Sequence, residues 1–183
     1  MANIFIFYGV GGNNKENWLP WLKEQLENLG HKVFIPDFPT PENQTLDNWF
    51  KTFEDYKDNL NKDSILIGHS LGASFILNVL EKYPVKAAFL VAGFASLPDN
   101  KFKEGMRTFV DRKFNWAKIK NNCKKFYIFH SDNDPYVPIE KAYEFKKNAD
   151  GELIIVEGAG HFNASAGYNK FELLFKKIVD LEK

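Results

Sequence analysis

Four residues in three separate stretches of the chain carry the means for acyl chemistry. "SILIGHSLGAS" sets Ser70 between Gly68 and Gly72, where an apolar run gives way to helical spacing. "HSDNDPYVP" offers Asp132 and Asp134, and "EGAGHF" offers His161. A serine hydroxyl is almost wholly un-ionised at neutral pH, so it attacks a carbonyl only when a base takes its proton. Histidine suits that task, and an acid behind it fixes the ring's tautomer. Glycines two residues either side of Ser70 fit a tight strand-to-helix turn that exposes the hydroxyl. The competing explanation is a plain helix N-cap, a position that serine also favours.

The other histidines serve less well as the base. His31 precedes a strand and belongs at the opposite end of a sheet. His69 adjoins Ser70, so its ring is expected to point away from the same site. His130 ends a strand and either approaches the site or packs as a hydrogen-bonded core residue. His161 follows a strand in a glycine-bearing loop that can carry its ring back over the sheet edge. Of the two aspartates one should orient it, and the other should be an Asx-turn residue.

Attack on a carbonyl also needs donors for the oxyanion. The backbone N–H of Leu71, directly after Ser70, is one candidate. The N–H of Val10 in "YGVGGN" is the other. That loop matches neither a Walker A motif nor a clean dinucleotide fingerprint, which ranks phosphate binding low.

These loops need a frame. Apolar runs at 3–8, 32–38, 64–69, 85–94, 124–131 and 152–158 read as strands. They alternate with helical patterns at 16–30, 45–60, 71–83, about 138–148 and from 169 to the end, with Thr45 as the cap of the second. Alternating βαβα order implies a three-layer α/β/α sandwich around a mainly parallel six-stranded sheet. In such sheets ligand chemistry sits beyond the carboxyl ends of the strands, where all four residues fall. The interval of about 95–123 has room for one or two short helices over the site, within one domain spanning 1–183.

Composition excludes several classes. Twenty-four basic residues balance twenty-four acidic ones, which argues against a nucleic-acid binder driven by bulk charge. "MANIFIFYGVGG" has no basic n-region and is too short to span a bilayer, so neither secretion nor a membrane partner is expected. The single Cys123 cannot form an internal disulfide, which suits a reducing cytoplasm. Most of the eighteen phenylalanines should be core.

"GHSLGA", "HSDNDPYVP" and "EGAGHFN", with the early pair Trp18 and Trp21, resemble the small serine hydrolases typified by retinoblastoma-binding protein 9 and bacterial YdeN. The likeness spans essentially the whole chain. It implies a compact α/β-hydrolase fold and a triad of Ser70, Asp134 and His161, the family's acid being the one that precedes proline and hydrophobic residues. Two features depart from the pattern. Tyr8-Gly9 stands where many α/β-hydrolases have His-Gly, and "NNCKK" lacks the Leu-x-Cys-x-Glu segment that binds pocket proteins, so that partner is not carried over.

The expected activity is hydrolysis of a small ester, thioester or amide through an acyl-enzyme on Ser70, with no metal or organic cofactor. Trp18, Phe94, Trp116 and Phe162 are candidates to line a shallow apolar cleft for the acyl substrate. Two rivals differ in class: a non-catalytic interaction module on the same fold, and a lyase or acyltransferase using the same triad.

Overall fold

The computed structural model describes residues 1–181. Its strands are β1 (Asn3–Phe7), β2 (Lys32–Phe34), β3 (Ile65–His69), β4 (Ala87–Val91), β5 (Phe126–Ser131) and β6 (Glu152–Val156). They form one sheet in the order β2-β1-β3-β4-β5-β6, and every pairing is parallel. The helices are α1 (Leu19–Asn28), α2 (Leu46–Glu54), α3 (Leu71–Leu80), α4 (Lys103–Val110), α5 (Trp116–Asn122), α6 (Glu140–Ala149) and α7 (Glu172–Leu181).

Side-chain alternation along the strands builds the two outer layers. Phe5 and Phe7, two apart in β1, point to one face. Phe5 meets Phe53 of α2 at 5.9 Å between ring centroids, and Phe7 meets Phe75 of α3 at 5.2 Å. On the other face Phe129 of β5 meets Phe171 at 5.4 Å, and Trp21 of α1 meets Phe175 of α7 at 5.9 Å. Strands β3 and β4 are buried along their whole length, and so is every residue of α3. This is the α/β-hydrolase architecture.

Several elements are shorter than their sequence patterns, each for a local reason. β2 stops at Phe34 rather than 38, because Pro36 has no N–H to donate and the Phe38 N–H goes to the Tyr8 hydroxyl at 2.5 Å. α1 starts at Leu19 rather than 16: Asn17 has φ 54°, outside the helical region, and Pro20 occupies the first turn. α2 ends at Glu54 and tightens into a 3₁₀ turn at Lys57–Asn59. Its cap is Thr45, whose hydroxyl accepts the Asn48 N–H at 3.2 Å. The last two residues of the expected final helix, 182 and 183, lie outside the described residues.

From β1 the chain runs outward to β2, then crosses back to β3 and continues the other way. The order therefore reverses between β1 and β3, where Phe7 and Gly68 are register partners. A crevice opens at such a switch point, just beyond the strand ends.

Candidate active site

Ser70 sits at that crevice, between β3 and α3. Its backbone adopts φ 55° and ψ −118°, a conformation that costs a non-glycine residue of order 1–3 kcal/mol. The surroundings over-determine it. The Ser70 N–H donates to the Val91 carbonyl at 2.8 Å. The flanking glycines admit the close packing that the turn demands: a Cβ on Gly72 would lie 2.2 Å from the Phe7 carbonyl oxygen, and one on Gly68 would lie 2.5 Å from the Ala73 nitrogen. A plain N-cap residue has extended backbone and bonds back to its own helix; the Ser70 side chain makes no such cap bond.

His161 lies in the same cleft, brought there by the loop after β6. Its Nδ1 is 2.7 Å from Asp134 Oδ2. A carboxylate can only accept, so Nδ1 carries the proton and Nε2 is the nitrogen left to serve as base. The Asp134 side chain is fully buried, and its Oδ1 accepts the N–H groups of Tyr136 at 2.9 Å and Val137 at 3.0 Å. Burial pushes its pKa up, but the His161 contact and the two backbone donors outweigh that and hold it below the usual carboxylate value.

Asp132 does a different job. Its Oδ1 accepts the Gly158 N–H at 2.8 Å, and Asn133 Oδ1 accepts the Gly160 N–H at 2.7 Å. Three consecutive side chains after β5 thus hold three points of the loop after β6. His130 supports the same structure from below as a fully buried ring whose Nε2–H donates to the Val137 carbonyl at 2.9 Å.

The structure corrects the expectation for His69. Its ring lines the cleft, 4.9 Å from the His161 ring, and its Nε2 lies 2.8 Å from the His161 carbonyl oxygen. The carbonyl only accepts, so His69 donates there as a neutral ring. Burial, reinforced by His161 nearby, pushes its pKa down to about 3.

Val10 and Gly9 line the cleft, and Leu71 opens α3 directly after Ser70. A Cβ on Gly9 would lie 2.8 Å from the Ser70 Cβ, which measures how closely the β1 loop approaches. The Tyr8 hydroxyl pins that loop by accepting the Phe38 N–H and lying 3.1 Å from the Phe38 carbonyl. On its other side the Gly11 N–H donates to Thr40 Oγ1 at 2.7 Å. Thr40 in turn donates to Gln44, and Gln44 Nε2 donates to the Gly105 carbonyl of α4 at 2.7 Å.

The cleft holds about 250 Å³. Of the four aromatic residues expected in it, Phe94 lines it and three do not. Trp18 is fully buried between His69 and Phe171, with its indole N–H on the Phe162 carbonyl at 2.9 Å. Phe162 has φ 50°, which turns its ring away from the His161 side to stack on Phe171 at 5.0 Å. Trp116 opens α5, the helix that leads back to the amino end of β4 through the Val85 N–H bond to Asn122, and it pairs with Phe114. Tyr136, Phe102 and Met106 take their place as walls. Among the described residues no His, Cys, Asp and Glu cluster has the makings of a metal site.

The family model described as serine hydrolase matches residues 4–179. The chain belongs to the serine hydrolase family. This serine hydrolase is 28% identical over 177 residues to YdeN of Bacillus subtilis (strain 168), covering 94% of this chain and 92% of that one. The crystal structure of that ydeN gene product superposes with a TM-score of 0.91 at 25% identity, covering 99% and 98%. Serine hydrolase RBBP9 of Rattus norvegicus is 29% identical over 158 residues, covering 84% and 83%. Est1E from Butyrivibrio proteoclasticus shares the fold at a TM-score of 0.73 and 17% identity, covering 98% and 88%.

Proposed function

We propose that the protein hydrolyses small carboxylic esters, and thioesters or amides of similar size, through an acyl-enzyme on Ser70. The observation that carries this is the buried Asp134 carboxylate on His161 Nδ1, in the cleft that also exposes Ser70 at a strained turn. Nε2 of His161 takes the Ser70 proton as Oγ attacks the carbonyl, and Asp134 stabilises the imidazolium. The N–H groups of Val10 and Leu71 receive the oxyanion, and the imidazolium then protonates the leaving group. Water, activated by the same Nε2, releases the acid and restores Ser70.

Residues 1–183 act as one catalytic domain in which α4 is the cap. Among the described residues no helix is long and apolar enough to cross a membrane. The one cysteine is buried and free, so we assign the protein to the cytoplasm.

Turnover of p-nitrophenyl butyrate tests the reaction. Ser70→Ala and His161→Ala should each bring the rate close to that of the uncatalysed reaction, and equal turnover by Ser70→Ala and the wild type would refute the assignment.

A further inference from the structure

Glu16 stands in the wall of the cleft, in the turn that the helical pattern assigns to α1 but that the positive φ of Asn17 keeps outside it. Among the described residues lining the cleft it is the only Asp, Glu, Lys or Arg. Its carboxylate has hydrogen-bond donors but no counter-charge. The Asn13 backbone N–H donates to it, and the Asn13 and Asn17 side-chain amides approach at 3.4 Å and 3.3 Å, the long end for a hydrogen bond. No lysine, arginine or histidine among the described residues pairs with it. Burial raises its pKa, as expected of a carboxylate that has lost water without gaining a counter-charge.

Phe94, Phe102, Met106 and Val137 supply apolar lining, and Asn100 and Tyr136 lie beside them, the Tyr136 ring 5.0 Å from the His161 ring. Glu16, Asn17 and Asn163 supply polar lining, and the Asn17 Oδ1 bond to the Ala164 N–H at 2.8 Å fastens the Glu16 turn to the loop bearing His161. In the proposed reaction His161 protonates the departing alcohol, which places that alcohol by the loop to which the Glu16 turn is fastened.

We propose that Glu16 is a specificity residue selecting esters whose alcohol portion carries a cationic ammonium group. The proposal rests on the hydrolase reading above. A cation beside Glu16 would give the carboxylate the counter-charge it lacks, and Coulombic attraction in a partly desolvated cleft discriminates by roughly tenfold.

The experiment compares kcat/KM for choline butyrate, its uncharged isostere 3,3-dimethylbutyl butyrate, and an ester carrying the trimethylammonium on the acyl end. The wild type should prefer choline butyrate by at least tenfold, mainly through KM. Glu16→Gln should bring the ratio toward one, and Glu16→Asp should keep part of the preference. In the wild type alone, choline should inhibit hydrolysis of the uncharged ester at least tenfold better than 3,3-dimethylbutanol. A wild-type ratio near one, a preference that survives in Glu16→Gln, or preference for the acyl-end cation would overturn the proposal. If Ser70 reacts with a fluorophosphonate while the ratio is one, only the role of Glu16 falls; if Ser70 does not react, the hydrolase reading falls with it.

Discussion

Asp134 and His161 meet at 2.7 Å across two loops, and the residues just before each of them are bonded in step. Asp132 holds Gly158 and Asn133 holds Gly160, so the His161 ring is positioned by a row of contacts rather than by Asp134 alone. The division of labour between the two aspartates follows. Asp134 bonds the ring that the proposed reaction charges, whereas Asp132 bonds the Gly158 backbone and lies 3.5 Å from the Ser131 hydroxyl.

Asp134→Asn should lower kcat by about 10⁴-fold, because an amide can stabilise the wrong imidazole tautomer. Asp132→Asn should cost about tenfold at most, together with about 1 kcal/mol of stability from the weakened Gly158 bond. Steady-state kinetics and urea melts on both variants check this. A reversed order would make Asp132 the acid.

The conformation of Ser70 implies a trade of stability for function. Glycine adopts φ 55° without the penalty that serine carries there. Ser70→Gly should therefore abolish esterase activity while raising the unfolding free energy by about 1 kcal/mol. Denaturant midpoints measure it, and a marked loss of stability would mean that the turn is not strained.

His69 sets a pH dependence of stability. Its pKa is about 3 when folded against a reference value of 6.5, so below pH 6.5 the unfolded chain binds a proton that the folded chain refuses. Its contribution is complete above that pH and is lost as the pH falls from 6.5 toward 3. The slope is about 1.4 kcal/mol per pH unit for one proton. Buried His130, also shifted down by burial, adds in the same direction. Asp134 is shifted down from 3.8, so its loss begins only in stronger acid. Between pH 6 and pH 4, chemical denaturation should show a shallower slope for His69→Gln than for the wild type.

The proposed acyl site should limit chain length. At about 250 Å³ the cleft is small for a ligand site, and Phe94, Phe102 and Met106 line it. Each methylene that still fits adds about 0.8 kcal/mol, and those beyond the wall add nothing. Across p-nitrophenyl esters kcat/KM should peak between acetate and hexanoate. A series still rising at dodecanoate would reveal a longer channel.

Much of this molecule is legible in its residues because the parallel strands are unbroken apolar runs and the chemistry falls just past them. Ser70, His161 and the pair Asp132 and Asp134 stand out for that reason, and between the two aspartates only the family resemblance favours Asp134. Side-chain direction is harder to read. His161 and Phe162 are neighbours, yet the positive φ of Phe162 sends its ring into the core. His69 reaches the cleft because the sharp turn at Ser70 follows it, which simple strand alternation does not convey. Glu16 and Asn17 are masked by a helical pattern that continues through them. The signal that corrects it is Pro20, a residue favoured in a first turn. Trp116 is misplaced because only Asn100, Phe102 and Met106 of the 95–123 segment reach the cleft, while α5 returns to the far end of the sheet.

Covalent labelling probes the nucleophile itself, independent of any substrate. Treated with a fluorophosphonate and digested, the protein should carry one phosphonyl adduct, on the peptide containing Ser70. Ser70→Ala should carry none, and His161→Ala should react at least a hundredfold more slowly. An adduct persisting in Ser70→Ala, or an unmodified wild type after prolonged exposure, would contradict an acyl-enzyme at Ser70.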